Sequence, residues 1–249
     1  MKSRRSLTVA MAAVSVLVGT APTADAARNR PVTAANRPAA TWSRPVAMWN
    51  MNEWSGSRTM VDSSGNRLNG RIGLEVGTGI QVLGATGYRF DRLEPDSPPT
   101  HPGHLVTVGD SANLDPGNRD FTMTVRLRTT HKFGNIVQKG QATVSGGNFK
   151  MQIPGGIAEC LFRGSFDSVL VRSPTRLNDG RWHTVRCNRN GSGLTMTVDG
   201  TVVARKAGWT GTIANSWPVT IGGKADCDQI DVGCDYYAGD LDYIQLEAG

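Results

Sequence analysis

Strict alternation of apolar and polar side chains dominates the chain. In Phe121–Thr129 (FTMTVRLRT), Phe121, Met123, Val125 and Leu127 alternate with Thr122, Thr124, Arg126 and Arg128. Successive side chains of a strand point to opposite faces, so this period predicts a half-buried antiparallel strand. The same period recurs further on. Phe149, Met151 and Ile153 alternate with Asn148, Lys150 and Gln152, and Leu194, Met196 and Val198 alternate with Thr195, Thr197 and Asp199. Trp217, Val219 and Ile221 form another inward set, and Ile244 and Leu246 close the chain. Turn dipeptides separate these runs: Gly146-Gly147, Gly155-Gly156, Asn190-Gly191, Asp199-Gly200 and Gly222-Gly223. No run holds the 3.6-residue apolar period of a long helix, and 30 Gly and 12 Pro work against one. Many short strands between turns predict an all-β, antiparallel two-sheet jelly-roll sandwich. The Pro-rich run Arg92–His104 (RLEPDSPPTHPGH) breaks the pattern and reads as an exposed loop.

The first 44 residues follow other rules. Lys2, Arg4 and Arg5 precede the short apolar run Leu7–Val18, and Ala24-Asp25-Ala26 fits a small-x-small cleavage site. Residues 1–26 therefore read as a signal peptide. Twelve residues rise only about 18 Å as a helix, too little to cross a bilayer. Ser3-Arg4-Arg5 partly matches a twin-arginine signal, and the general secretory route explains the same residues. Residues 27–44, rich in Ala, Pro and Arg, read as a disordered linker, leaving 45–249 as one domain. The expectation is an exported, secreted protein with no membrane span.

Partitioning the charge changes its meaning. The chain holds 27 Lys+Arg and 21 Asp+Glu. Three basic residues and Asp25 belong to the leader, and Arg28, Arg30, Arg37 and Arg44 belong to the linker. Twenty of each sign remain in 45–249, so the basic balance is a property of the tail. A nucleic-acid footprint requires a basic patch on the folded part, and none is indicated.

Four cysteines in an exported chain, Cys160, Cys187, Cys227 and Cys234, suggest two disulfides with three pairings open. Sequence proximity favours Cys227–Cys234, and strand-like surroundings favour Cys160–Cys187. By loop entropy these are worth up to roughly 2.5 and 3.6 kcal/mol respectively. The short Cys-x2-Cys or His-x3-His spacings of a zinc site are missing.

Several stretches resemble one family. Val46–Gly73 (VAMWNMNEWSGSRTMVDSSGNRLNGRIG) is similar to the opening strand of bacterial laminin-G-like, concanavalin A-like jelly-roll domains. Asn113–Thr129 resembles their central strand, and Asp179–Gly200 (DGRWHTVRCNRNGSGLTMTVDG) resembles their most recognisable hairpin. Pro218–Leu246 (PVTIGGK … YYAGDLDYIQL) resembles the closing strands, in the family's order. The resemblance implies a two-sheet sandwich that binds glycans or extracellular proteins, often with a structural calcium. Relatives on this fold include glycan hydrolases and lyases, so the fold leaves activity open.

Candidate chemistry is sparse. His183 shares a strand face with Val185 and Cys187, which predicts an interior histidine satisfied by a hydrogen bond. No Gly-x-Ser-x-Gly motif supplies it with a nucleophile. His101-Pro-Gly-His104 has a metal-like spacing, but Pro and Gly rule out the helix it would need, and a surface loop is expected. A glycosidase needs two carboxylates across one sugar bond. The family's Glu-x-Asp-x-Glu strand has no counterpart here. Asp240 and Asp242 do alternate on one strand, and Asp226, Asp228, Asp231 and Asp235 gather before it. Calcium wants six to eight oxygens. From the resemblance, Asp242 with Asp62 and Asn66 is the candidate set, against an Asx turn at Asp62 and a strand-end role for Asp242. Trp54, Trp209, Tyr236 and Tyr237 fall in or beside predicted loops and are nominated for ligand contact. Trp49, Trp182 and Trp217 are assigned to strands.

The resulting expectation is a monomeric, non-catalytic module binding a glycan or another extracellular or envelope component. A glycan hydrolase or lyase and a protein-binding adhesion domain are the alternatives.

Overall fold

A computed structural model describes residues 44–94, 100–227 and 234–249. The predicted leader and most of the predicted linker lie outside these residues. Among the described residues, sixteen strands carry the fold: β1 (Arg44–Trp49), β2 (Thr59–Met60), β3 (Gly70–Ile72), β4 (Val76–Val82), β5 (Ala85–Phe90), β6 (Val106–Val108), β7 (Phe121–Arg128) and β8 (Asn135–Lys139). They continue with β9 (Asn148–Gln152), β10 (Ile157–Arg163), β11 (Ser168–Arg176), β12 (His183–Asn190), β13 (Gly193–Val198), β14 (Thr201–Ala207), β15 (Val219–Ile221) and β16 (Gly239–Ala248). Arg44, assigned above to the linker, is the first residue of β1 and pairs with Ala248.

The strands form two antiparallel sheets. Sheet A runs β14-β13-β12-β7-β16-β5-β4, with β1 also on β16, and sheet B runs β11-β10-β9-β8-β15-β6-β3-β2. Their inner faces are the alternating apolar positions read from the sequence. Phe121, Met123, Val125 and Leu127 of β7 are fully buried, as are Phe149, Met151 and Ile153 opposite them. Phe121, Phe149 and Phe162 stack at the centre, with ring centroids 5.2 to 6.3 Å apart. The core is the interleaving of these two inner faces, the usual source of stability in a sandwich.

Cys160 of β10 is bonded to Cys187 of β12, which ties sheet B to sheet A across the core. Cys227 is bonded to Cys234, closing the connection between β15 and β16 on itself. The pleat leaves each sheet with one outward face. A site on this fold lies on one of those faces or in the loops at the ends.

Candidate functional site

His183 opens β12 opposite Leu127, in register with the buried Val185–Val125 and Cys187–Met123 pairs. It therefore lies on the inward pleat, at the end of the sandwich, with its side chain 14% exposed. Its Nδ1 meets Asp199 Oδ2 at 2.7 Å and its Nε2 meets Asp179 Oδ1 at 3.0 Å. Burial lowers the histidine's pKa, and the two carboxylates more than offset this and raise it. Carboxylates only accept, so this arrangement favours the imidazolium, in which both ring nitrogens donate. The imidazolium is a staple joining the Asp179-Gly180 and Asp199-Gly200 turns.

Asp240 and Asp242 do not form the paired-carboxylate site that simple alternation suggests. A bulge in β16 between Leu241 and Tyr243 breaks the period. Asp240, 3% exposed, receives Arg89 Nε at 2.8 Å and Arg128 Nη1 at 2.7 Å, one guanidinium on each oxygen. Asp242 pairs with Arg126, whose guanidinium lies 4.9 Å over the Trp182 ring. Trp182 in turn donates from Nε1 to the Val82 carbonyl at 3.1 Å. Arg186 meets Glu247 at 3.4 Å. The outer face of sheet A is thus an interlocked set of ion pairs.

The nominated calcium residues do not meet at one point. Asp62 accepts from Met48 N (3.0 Å) and Ser64 N (2.9 Å) on Oδ1, and from Ser64 Oγ (2.8 Å) and Leu68 N (2.9 Å) on Oδ2. Burial would raise its pKa, and these donors together hold it below the ordinary carboxylate range. Asn66 donates from Nδ2 to the Val46 carbonyl at 3.0 Å. Both residues fasten the Asx turn to β1, while Asp242 is engaged by Arg126. As arranged, the three do not fit a calcium site. No group of three or more His, Cys, Asp or Glu among the described residues is placed to hold a metal.

Two of the four nominated aromatics are exposed. Trp54 is 86% and Trp209 50% exposed. Tyr237 is instead fully buried, and Tyr236 is half-buried with its hydroxyl accepting from the His101 amide. His104 is also fully buried, contrary to the surface loop expected there. Its Nε2 donates to the Tyr237 carbonyl at 3.0 Å, and its ring sits edge-on to Phe90 and Tyr236. Among the clustered acids, Asp235 meets Lys224 at 2.8 Å. Asp228 and Asp231 lie outside the described residues.

The outer face of sheet B differs. Strand pairing aligns Gln138 of β8 with Lys150 of β9 and Leu161 of β10, and in the next row aligns Asn148 with Arg163. With Gln141, Ala142 and Lys224 from the flanking loops, these residues line a depression of about 90 Å³. Arg163 donates from Nη2 to the Gln141 and Val144 carbonyls at 2.7 and 3.2 Å, and from Nη1 to the Ala142 carbonyl, fixing one wall. Gly146 and Gly147 let this loop dock. Both have left-handed φ, and a Cβ on Gly146 would sit 1.9 Å from the Ala214 carbonyl oxygen.

Hydrogen bonding within this wall is incomplete. Gln141 Oε1 accepts from the Asp226 amide at 3.0 Å, but Gln141 Nε2 has no partner. Asn148 Oδ1 and Arg163 Nε have none either, although Gln141 and Asn148 are each only 3% exposed. Folded proteins leave few such groups. Three such residues lining one depression, beside the half-buried Leu161, set it apart from the outer face of sheet A.

A family profile described as the concanavalin A-like lectin/glucanases superfamily, of laminin-G type, matches residues 101–247. The match covers more than half of the chain. This chain belongs to that superfamily. Among curated relatives, neurexin-3a of Danio rerio and neurexin-3-beta of Homo sapiens are each 33% identical over 98 residues, 39% of this chain. That stretch is 6% and 15% of their respective lengths, so the chain spans a small part of either relative. Among solved structures, the binding domain of Paraclostridial Mosquitocidal Protein 1 superposes with a TM-score of 0.57 at 12% identity, covering 82% of this chain and 48% of that one. Domain 4 of AbnA, a GH43 extracellular arabinanase from Geobacillus stearothermophilus, in complex with arabinotriose, gives 0.55 at 11%, covering 83% and 93%. These likenesses are of fold.

Within this laminin-G-type domain, Gln141, Asn148, Lys150 and Arg163 carry no sequence signature of a site. They come from a loop and two strands, with no motif to join them. The usable signal was the outward set of β9, Asn148, Lys150 and Gln152, all polar and hydrogen-bonding.

Proposed function

We propose that this domain is a non-catalytic, extracellular binding module that recognises a glycan on the outer face of sheet B. One observation carries the reading: three of the residues that line one depression, Gln141, Asn148 and Arg163, each hold a buried side-chain atom with no partner. A buried polar atom without a partner costs about 1–3 kcal/mol, and a ligand that supplies the partner recovers it. Gln141 offers a donor and Asn148 an acceptor. A hydroxyl can accept from one and donate to the other, and adjacent sugar hydroxyls present that combination. Leu161 supplies an apolar surface for the C–H face of a ring, as binding pockets commonly do.

The engagement of Asp240 and Asp242 by arginines, and of both His183 nitrogens by carboxylates, supports a binding rather than a hydrolytic role. Two disulfides support an oxidising, extracellular setting. The fold is one on which an arabinanase domain holds arabinotriose. A glycan array followed by calorimetry tests the reading. The intact protein is expected to bind at least one glycan, with an affinity reduced tenfold or more by the Gln141→Ala/Asn148→Ala pair. No binding by the intact protein would overturn the glycan reading. Release of reducing or unsaturated ends from a polysaccharide panel would overturn the non-catalytic one.

A further inference from the structure

The depression on sheet B is shallow and open, and its Asn148–Arg163 row is the one nearest the β10–β11 turn. Phe166 sits in that turn, three residues after Arg163, and so within about 11 Å of it along even a fully extended chain. Its ring meets that of Trp209, with centroids 5.0 Å apart and planes tilted by 42°. The two rings are 71% and 50% exposed, an unusual cost for a side-chain pair of this size that packs on no core.

The pair is held rigidly. The Phe166 and Ser165 amides donate to the Thr210 and Thr212 carbonyls at 3.0 and 2.9 Å, and the Thr212 amide donates back to Ser165 Oγ at 3.0 Å. Gly211 makes this approach possible: its φ is +76°, and a Cβ there would lie 2.5 Å from Ser165 Oγ. The connection runs on to the depression. Ala214 N donates to the Gly146 carbonyl at 2.9 Å and Asn215 Nδ2 to the Gly147 carbonyl at 3.0 Å. The loop that carries Trp209 therefore braces the wall that carries Gln141. Around the rings are exposed polar groups, Asp167 and the Asn118–Thr212 hydrogen bond at 2.9 Å. Flat aromatic faces in a polar rim suit sugar C–H faces with hydroxyls at their edges.

We propose that Phe166 and Trp209 form a stacking subsite continuous with the amide depression, so that the ligand is an oligosaccharide chain of at least two or three units rather than a single sugar. This rests on the glycan reading above. The depression hydrogen-bonds the edge of one unit, and the aromatic pair stacks a neighbouring one.

Calorimetry tests it with arabinose, xylose and glucose and their two- to six-unit oligosaccharides. For the intact protein, the longest bound member of a series is expected to bind about tenfold or more tighter than its monosaccharide. In Phe166→Ala/Trp209→Ala that gain is expected to shrink to within about twofold, with the monosaccharide affinity unchanged. Both rings are exposed, so the variant is expected to melt with the parent, and a matching melting temperature checks that it folds. An unchanged length dependence in the variant would overturn the stacking subsite and leave the glycan reading standing. Loss of monosaccharide binding in the variant would also overturn it, by placing the pair within the first subsite. If no series binds the intact protein, both readings fall together.

Discussion

The outward faces of the two sheets are built from similar side chains and use them in opposite ways. On sheet A, Arg89, Arg126, Arg128 and Arg186 each meet a carboxylate, and Trp182 lies beneath one of them. On sheet B, Gln141, Asn148 and Arg163 each keep one buried atom with no partner. The outer face of sheet A therefore spends its polar groups on holding itself together, and on the proposed reading that of sheet B keeps some for a ligand. On that reading, the charge and aromatic content of sheet A point away from the binding face. Unfilled hydrogen-bonding capacity is the better guide.

Removing Asp240 is the harshest test of the first half of this contrast. Asp240→Ala leaves Arg89 and Arg128 facing each other over a buried position. It is expected to destabilise the domain by about 3 kcal/mol, visible as a large fall in denaturation midpoint. A shift below about 0.5 kcal/mol would mean that the ion pairs on sheet A are incidental.

His183 sharpens the contrast through pH. Its folded pKa is raised, so its contribution is complete below the unfolded value of about 6.5 and is lost as pH rises through the folded value. Asp179, whose pKa is lowered by the Arg181 amide and by His183, stays ionised across that window. The parent is expected to exceed His183→Gln by about 1 kcal/mol near pH 5.5, roughly 2–4 °C in melting temperature, and by less near pH 9. A gap that widens with pH would contradict the staple.

Smaller effects follow on the two faces themselves. Arg126→Ala removes the Asp242 pair and the Trp182 contact and is expected to cost about 1 kcal/mol. Asn148→Ala removes an acceptor that has no partner and is expected to change stability by no more than about 0.5 kcal/mol, in either direction. Chemical denaturation of both proteins side by side would show whether the ordering holds.

The strands were legible because burial on one face forces a period of two. Phe121–Leu127 and Phe149–Ile153 were placed by that rule alone. It could not show that arginines from β5 and β7 engage Asp240 and Asp242, because those partners lie more than 100 residues away along the chain. His104 and Tyr237 were misplaced for another reason. Both fall in or beside segments that read as loops, yet His104 hydrogen-bonds the Tyr237 carbonyl 133 residues away and both rings pack edge-on against Phe90. The Asx turn weighed for Asp62 is the one that forms, and donors from Met48, Ser64 and Leu68 occupy its oxygens. Trp209 was nominated, but its partner Phe166 was not, because only the folded loops bring them together. Likewise Gln141, Asn148 and Arg163 are ordinary residues whose importance lies in what they fail to contact.

The most direct test of the central contrast is an amide NMR titration of the labelled protein with an oligosaccharide that it binds. Shifts are expected to gather in β8, β9, β10 and residues 140–147, including the Gln141 and Asn148 side-chain amides, while β7, β12 and β16 stay still. Shifts centred on Arg126, Trp182 and Asp242 instead would show that the saturated face is the one that binds, and would contradict the account.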